Sequence, residues 1–447
     1  MQKICIFALT LAMVVVSCQK EVAIDGNSVE PTTADATQSV TRSYDEALAI
    51  AEDALKLLEG DDTRSAKQRS IKRDEGQIVY RPTTRGTESE AEPIMYVFNN
   101  ENNEGFTVVA AARNQQPLIA VTEKGSYTYG EDTGVEAFDA YMNNMVSTLS
   151  IDYPTLPQPP TPDELEPAPL THVEYINIEE RVDPLLTTKW SQGGIYGKYC
   201  SNGKSGCVAT AIGQIMAYHK HPEYLTMSYS DNSRVYFDWD KIVGHQKGAS
   251  GQHCSCDTTC HIQIASLLRE IGKRCKMKYY IGGGSSSNLQ KAQEALTTMG
   301  YKNATFKSYS KEYSQFNNIK YNINDNKPVC LGGITDNDGG HAWVADGYYH
   351  YEKGYIYFSE NPLYDPNNPL GGVQYILEQD NVERIYLLHY NWGGSGTCDG
   401  WFRSSCYQMD QAYKDGEDFG YDDNTLNNKN NKNYKNYLTI LYNIEPK

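Results

Sequence analysis

Cys207 stands where a nucleophilic thiol could be activated. A glycine precedes it, and apolar residues follow it at the spacing of an amphipathic helix, at Val208, Ala211, Ile212, Ile215 and Met216. The sequence therefore predicts that the sulfur lies at a helix start, where unpaired backbone N–H groups and the helix dipole lower the pKa of a thiol. From this segment alone, a buried structural cysteine that opens a core helix is an equally good interpretation.

Two downstream segments contain the other residue types that thiol catalysis needs. His341 follows two glycines and opens an alternating, strand-like run, so its imidazole could exchange protons with a thiol. Asn391 and Trp392 end an apolar strand before a glycine-rich turn. An asparagine amide oxygen can accept the imidazole N–H and fix its tautomer, and an indole can keep water from that bond. A histidine alone in such a run is more often structural, so the prediction depends on all three segments.

The order and the amino-acid sequences of these segments match a known pattern. Cysteine, then histidine, then asparagine far downstream is the order in papain-like cysteine proteases. The segments read Gly-Cys-Val-Ala-Thr-Ala-x-x-Gln-x-Met-x-Tyr-His, Gly-Gly-His-Ala-x-Val-x-Asp-Gly and Asn-Trp-Gly-Gly. These motifs resemble those of the streptopain family of secreted bacterial cysteine peptidases. The resemblance covers the chain from about residue 185 to the C-terminal strand, and more loosely the region before it.

The resemblance implies a role for each candidate site residue. Cys207 would be the nucleophile and His341 the general base and acid. Gln192 resembles the family's glutamine upstream of the nucleophile, whose amide N–H₂ and the backbone N–H of Cys207 would stabilise the oxyanion. An ordinary loop residue is the alternative for Gln192. Trp392 matches the tryptophan beside the catalytic pair, and Asn391 has a supporting, orienting role.

The fold class expected is α+β. Helices come first after the nucleophile and strands dominate later, which is the layout of a papain-like, two-lobed peptidase with a helical lobe and an antiparallel sheet lobe. We expect helices at 207 to about 222 and about 262–271. Strands are expected at 329–334, 341–349, 355–358, 384–390, 401–403 and 437–442.

A small α+β domain is predicted before the peptidase. Ser43 and Glu46 form a capping box at the start of its first helix, which stops at Gly60. Strands follow at 94–98, 106–110 and 118–121, and a second amphipathic helix extends from Val135 to Leu149. This region resembles the inhibitory propeptide of the streptopain family. An independent binding module is the alternative.

Composition shifts set the predicted domain boundaries. The propeptide domain is expected at 43–152, a proline-rich linker at 153–170 and the cysteine peptidase domain at 171–447. An extended, exposed linker of this kind is a natural site for proteolytic maturation.

The N-terminus reads as an export signal. A short basic start and an apolar run too short to span a bilayer predict a signal peptide at 1–17. The run ends in Val-Val-Ser-Cys, which looks like a lipobox and would leave a lipidated Cys18 as the membrane anchor. A flexible tether would follow at 18–42. A plain secretory signal with a chance cysteine is the alternative, and both interpretations place the protein outside the cytoplasm, at the cell surface or secreted.

The cysteine count suggests disulfides. Of eleven cysteines, Cys5 and Cys18 belong to the export segment, and removal of Cys207 leaves eight that could all be paired. Five possible metal ligands lie within nine residues, at His253, Cys254, Cys256, Cys260 and His261. We favour disulfides there, because the spacing differs from the usual zinc motifs; a structural zinc is the alternative. No cofactor is expected.

The formal net charge of −17 argues against a nucleic-acid partner, because a polyanion would be repelled. The expected partners are protein or peptide substrates and the chain's own propeptide. The leading hypothesis is a cysteine endopeptidase zymogen. A papain-like transamidase or amidase and a non-catalytic surface binding protein on a protease fold are the alternatives.

Overall fold

A computed structural model describes most of the chain beyond residue 39. The described ranges are 40–59, 69–81, 92–150, 170–228, 232–244, 257–281, 284–309, 313–335, 339–360, 375–404 and 438–447. The predicted signal peptide, Cys18 and most of the predicted tether lie outside them. Among the helices described, none is both long and apolar enough to cross a membrane.

The described part of the N-terminal region, residues 40–150, combines two α-helices with four strands. They are α1 (Tyr44–Glu59), β1 (Gln77–Tyr80), β2 (Pro93–Asn99), β3 (Phe106–Ala110), β4 (Leu118–Thr122) and α2 (Glu136–Leu149). The capping box forms as expected, since the Ser43 backbone N–H donates to Glu46 Oε2 over 2.7 Å and the Glu46 N–H donates to Ser43 Oγ over 3.3 Å.

The C-terminal region, residues 170–447, begins with a long strand and then alternates between helices and strands. Its first elements are β5 (Leu170–Val182), α3 (Cys207–His219), β6 (Tyr224–Thr226), β7 (Arg234–Tyr236), α4 (Trp239–Val243), α5 (Thr258–Arg274), β8 (Lys278–Tyr279) and β9 (Ser285–Ser286). They are followed by α6 (Leu289–Thr298), β10 (Thr305–Tyr309), α7 (Tyr313–Asn324), β11 (Val329–Thr335), β12 (Gly339–Glu360), β13 (Tyr375–Asn391), β14 (Gly400–Arg403) and β15 (Leu438–Tyr442).

One antiparallel sheet runs through both regions. Its described strands follow the order β1-β2-β3-β4-β14-β13-β12-β11-β15-β10, and β5 pairs with β12. The two regions meet where β4 pairs with β14, at Thr122 opposite Gly400, Val121 opposite Trp401 and Ala120 opposite Phe402. The N-terminal region therefore covers an edge of the C-terminal sheet that would otherwise be unpaired.

Two large hydrophobic clusters lie on opposite faces of this sheet. One combines α2 and β2–β4 with side chains of β11–β14, and Phe138 and Trp392 belong to it. The other packs α3, α5 and α6 against the opposite side of β11 and β12. Because successive strand residues point to opposite faces, β12 contributes Trp343 to the first cluster and Ala342 and Val344 to the second.

The α+β prediction is confirmed, with all the predicted strands of the N-terminal region and the nucleophile helix in place. The predicted strands 341–349 and 355–358 are parts of one longer strand, β12, and 384–390 is part of β13. The helix expected at 262–271 extends over Thr258–Arg274. Its start is capped by Asp257, whose carboxylate accepts the Cys260 N–H over 2.9 Å.

The end of the predicted tether is part of the folded region, so this prediction is wrong for residues 40–42. Thr41 forms a β-bridge with Ala112. The Arg42 guanidinium donates to backbone carbonyls of the segment after β3, including those of Ala110 and Ala112. These bonds fix the chain before α1 begins.

The possibility that the eight cysteines are all paired is ruled out. Five described cysteines are free thiols: Cys200, Cys207, Cys275, Cys330 and Cys398. All but Cys207 are buried, where they pack as small apolar side chains. Cys260 is disulfide-bonded, as the disulfide interpretation of its segment predicts. His253, Cys254 and Cys256 lie outside the described residues, and within the described ones no three metal-ligand side chains come together.

Phe138 should contribute to the stability of both regions at once. It is fully buried, and its ring contacts Phe106 in its own region and Trp392 and Phe402 across the boundary. We expect Phe138→Ala to lower the free energy of unfolding by about 3–5 kcal/mol in urea denaturation, because it leaves a cavity. Phe138→Leu, the control, should cost less than about half of that; equal losses from the two variants would contradict this packing.

Candidate active site

Cys207 is the first residue of α3, as the sequence predicts. Gly206 precedes it with a φ of 88°, in the left-handed region that favours glycine. A Cβ at this position would also lie 2.7 Å from Ser285 Oγ. Both the backbone conformation and the lack of space therefore require glycine at position 206. This turn sets the orientation of Cys207 at the helix start.

The thiol lies beside the beginning of β12. Cys207 Sγ is 4.0 Å from the carbonyl oxygen of Gly340. β13 pairs with β12 only from Val344 onward, which leaves room beside residues 340–342 for the N-terminus of α3. Sheet register thus brings the cysteine next to the residue that precedes His341.

His341 lies on the face of β12 that α2 covers. It shares this face with Trp343, two residues along the strand. The imidazole is 8% exposed, and its Nδ1 is 3.9 Å from Oε2 of Glu136, the first residue of α2. A carboxylate of the N-terminal region therefore faces the candidate catalytic base.

The expected lowering of the thiol pKa does not occur in this state. Burial raises the pKa of Cys207 above its usual value, and the negative charge of Glu136 acts in the same direction. Backbone N–H groups at Ala342, Val208 and Cys207 itself oppose the shift without reversing it. The sequence argument considered the helix start alone and omitted the dense packing around it.

An acidic pocket of about 470 Å³ adjoins His341. Its wall includes four carboxylates of the N-terminal region: Glu131, Asp132, Glu136 and Asp139. Burial raises the pKa of Asp139 to about 6, and the neighbouring Asp132 contributes. The space beside the imidazole is therefore bordered by acidic groups in this state.

Gln192 is tied to the loop that leads into Cys207. Its backbone carbonyl accepts hydrogen bonds from the Ser205 N–H over 2.8 Å and from Ser205 Oγ over 3.2 Å. Its side-chain amide has no hydrogen-bond partner among the described residues. The backbone contact keeps Gln192 close to the nucleophile and leaves its amide available.

Asn391 contacts the nucleophile helix instead of His341. Its Oδ1 accepts from Gln214 Nε2 over 2.9 Å, and its Nδ2 donates to the Thr188 carbonyl over 2.9 Å. Gln214 Oε1 also accepts the Trp190 N–H over 3.1 Å. The expected bond to the imidazole is replaced by a buried network that joins α3, the end of β13 and the segment leading to Gln192.

Trp392 is buried directly below α2. Its ring contacts Phe138 and Tyr141 from α2, and Trp343 from β12. Its backbone N–H donates to Asp399 Oδ1 over 2.9 Å. The tryptophan is thus packed on the same face as His341, as its assignment beside the catalytic pair requires.

Sequence reasoning missed two residues of this site. Glu136 is an ordinary acidic residue in the first turn of a helix, and no local pattern shows that it faces His341. Gln214 lies within the motif that carries the resemblance and is completely buried. A glutamine in a helix that is otherwise almost wholly apolar is a signal that could have indicated a polar partner in the core.

Comparisons with known proteins find two family matches and several relatives. Residues 190–402 match the peptidase C10 family, and residues 37–146 match the Spi protease inhibitor. Streptopain of Streptococcus pyogenes is 21% identical over 337 residues, which cover 69% of this chain and 73% of streptopain. The thiol protease/hemagglutinin PrtT of Porphyromonas gingivalis is 25% identical over 330 residues, 65% of this chain and 35% of that protein.

Two solved structures are similar as well. Prointerpain A of Prevotella intermedia matches with a TM-score of 0.48 at 19% identity, covering 83% of this chain and 99% of that one. Active interpain A, a cysteine protease of the same organism, matches with a TM-score of 0.36 at 21% identity, covering 58% of this chain and 94% of that one.

Gln214 should be needed for the stability of the C-terminal region. We expect Gln214→Leu to lower the free energy of unfolding by about 2–4 kcal/mol, because it leaves the buried Trp190 N–H without its acceptor and removes the side-chain donor to Asn391 Oδ1. Urea denaturation of full-length protein measures this. The control is Gln263→Leu on α5, which removes a single exposed hydrogen bond to the Asp238 N–H; a loss no larger than the control's would contradict the role of the network.

Proposed function

Since this chain belongs to the peptidase C10, or streptopain, family of cysteine peptidases and carries an inhibitor-type domain, we propose that it is an endopeptidase zymogen that acts through Cys207 and His341. One observation supports the assignment most directly. The helix-start thiol of Cys207 lies 4.0 Å from the backbone of the residue before His341, and the imidazole faces a carboxylate of the N-terminal region. The proposed catalytic pair and the proposed inhibitor thus meet at one place.

In the proposed reaction, Cys207 Sγ attacks the carbonyl carbon of the scissile peptide bond, and its proton passes to His341. The tetrahedral oxyanion is stabilised by the backbone N–H of Cys207 and the free amide of Gln192. His341 then protonates the leaving amine, and a thioester with Cys207 remains. Water, deprotonated by His341, hydrolyses the thioester and regenerates the thiol.

Asn391 is proposed to act as a positioning residue through Gln214. The network holds α3 against the segment 188–192, so the nucleophile and Gln192 keep their separation. Trp392 is proposed to shield the imidazole side of the site from water. Both assignments concern the C-terminal region alone and therefore persist after maturation.

The N-terminal region is proposed to inhibit by covering His341 and by keeping the thiol protonated. Burial and the charge of Glu136 both raise the pKa of Cys207. Removal of α2 takes away Glu136 and the acidic wall of the pocket, and the thiolate then becomes accessible at neutral pH. Cleavage in the proline-rich linker, 153–170, between the propeptide domain, 43–152, and the peptidase domain, 171–447, is the proposed maturation step.

We propose that the enzyme works outside the cytoplasm. The signal peptide at 1–17 and the lipobox cysteine at Cys18 support export and lipid anchoring. Protein or peptide substrates with a hydrophobic residue just upstream of the cleaved bond are the substrate class that the family resemblance favours.

The test compares cleavage of a denatured protein substrate by matured wild type, Cys207→Ser and His341→Ala. We expect the rate to fall by roughly a thousand-fold or more in both variants, because each removes an obligatory group. Cys200→Ser is the matched control, since it removes another free thiol that is buried near Tyr279, and it should retain activity.

Mass spectrometry of the products distinguishes the alternatives. New peptide termini indicate proteolysis. Ammonia release or cross-linked products without fragments would replace the proposal by a transamidase or amidase, and full activity of Cys207→Ser would refute the assigned nucleophile. Binding of a host protein that is unchanged in Cys207→Ser, without any turnover by wild type, would favour the non-catalytic alternative.

A further inference from the structure

A charge cluster crosses the boundary between the two regions, outside the candidate active site. The N-terminal region contributes Glu123, which directly follows β4. The C-terminal region contributes Lys189, Asp346, His389 and Asp399. His389, Asp346 and Asp399 are buried, so their charges interact without much screening by water.

The two oxygens of Glu123 have separate cationic partners. Oε1 lies 3.2 Å from His389 Nε2, and Oε2 accepts from Lys189 Nζ over 2.9 Å. Lys189 and His389 come from different parts of the C-terminal region, the segment before Gln192 and strand β13. Two converging donors on one carboxylate define its position as well as its charge.

Both cations are held in place by carboxylates of their own region. His389 Nδ1 is 2.7 Å from Asp346 Oδ1, and Lys189 Nζ is 3.6 Å from Asp399 Oδ2. Asp346 is fixed in turn by the Leu186 N–H over 2.9 Å. The donors that face Glu123 are therefore positioned independently of the N-terminal region, which is what a binding site requires.

The pKa shifts of Glu123 and His389 agree with this geometry. Burial alone would raise the pKa of Glu123, but the hydrogen bond and charge of His389, with those of Lys189, hold it well below its usual range. Burial alone would lower the pKa of His389, but Asp346 and Glu123 raise it to about 9. At neutral pH both groups are charged.

The ion pairs stand at the end of a short strand contact. β4 and β14 pair over three residue pairs. Two backbone hydrogen bonds continue the contact, from the Glu123 N–H to the Asp399 carbonyl over 2.8 Å and from the Cys398 N–H to the Lys124 carbonyl over 3.0 Å. A contact this short leaves open a shift along the strand, which would move every side chain to the other face. Glu123 is the side chain at this edge whose charge distinguishes one register from the next.

We propose that Lys189 and His389 form a carboxylate-binding site of the peptidase region, which Glu123 fills in the proenzyme to hold β4 in register on β14. The site recognises a strand that presents a carboxylate at this position, as the proposed inhibitor domain does with Glu123. The inference rests on the proposed function only in calling the N-terminal region an inhibitor. The contact itself is independent of catalysis.

The test uses the full chain with Cys207→Ala, so that no self-cleavage can occur and the outcome does not depend on peptidase activity. Hydrogen exchange is measured at the backbone amides of β4 and β14. We expect Glu123→Gln to speed exchange at least ten-fold, about 1.4 kcal/mol, because His389 and Lys189 lose the carboxylate that links them to the N-terminal region. Glu75→Gln is the matched control, since it removes an exposed ion pair with Lys72 inside the N-terminal region, and exchange at β4 should be unchanged.

Glu123→Asp separates charge from shape. It keeps the carboxylate on a shorter side chain, so it should restore part of the protection that Glu123→Gln loses. Equal losses in the two variants, or no change in either, would overturn the proposal. Nuclear magnetic resonance of the His389 ring gives a second readout, because its pKa should fall in Glu123→Gln and should not change in Glu75→Gln.

The pH dependence of exchange follows from the same charges. The contribution of Glu123 is complete above about pH 4.3 and is lost as pH falls through its lowered pKa. The contribution of His389 is complete below about pH 6.5 and is lost as pH rises through about 9. The charged groups around His389 are Glu123, Lys189, Asp346 and Asp399. Tyr218 of α3 is a further titratable group and interacts with Asp346.

Protection of β4 should therefore be greatest between about pH 4.3 and 6.5 and should decline toward pH 9. The Glu123→Gln variant should show a smaller decline toward pH 9, because Asp346 alone then raises the pKa of His389. A decline of the same size in the variant would count against the proposal.

Discussion

The aromatic face of β12 must be covered, and this requirement governs the structure. Trp343 and the neighbouring Trp392 present large rings on this face, and α2 covers them with Phe138 and Tyr141. Each such ring buries roughly 150–250 Å², so the apolar contact is a large stabilising term. His341 lies on the same face, which means that the burial that stabilises the proenzyme also covers the proposed catalytic base.

The two halves of the proposed catalytic pair depend on different parts of the chain. The nucleophile side is assembled wholly within the C-terminal region, by Gly206 at the helix start and by the Gln214–Asn391 network. The imidazole side borders the N-terminal region through Glu136. Apolar packing under α2 stabilises the contact between the two regions but does not fix their alignment. The β4–β14 pairing and the charges around Glu123 fix that alignment. Inhibition in this account changes the surroundings of a preassembled site and leaves its backbone in place.

Local signals made much of this structure predictable. Helical spacing after Cys207 located α3, the capping box at Ser43 located α1, and alternation located β11, β12 and β14. The sequence motifs also singled out Cys207, which lies beside the backbone of Gly340, and Trp392, which packs with Trp343 on the face of β12 that carries His341. Such signals depend on neighbours along the chain, and they located these elements; α6, whose buried face consists of Leu289, Ala292, Ala295 and Leu296, was not predicted.

The misses have a common physical cause, which is contact between distant segments. β5 was missed because it follows a proline-rich stretch and carries many charges. Glu136, Glu123 and the partner of Asn391 act across the boundary between regions or between lobes, where no local spacing records the contact. The predicted direction of the Cys207 pKa shift was wrong for the same reason. Burial by distant residues raises this pKa more than the helix start lowers it.

The rate at which Cys207 is alkylated by iodoacetamide, before and after removal of the N-terminal region, tests the central claim most directly. Peptide mapping reports Cys207 beside four other free thiols of the described residues, Cys200, Cys275, Cys330 and Cys398, which serve as internal references. We expect Cys207 in the full chain to react at least ten-fold more slowly than in the matured enzyme, since thiolate reactivity follows pKa and access. Equal rates before and after removal would contradict the account.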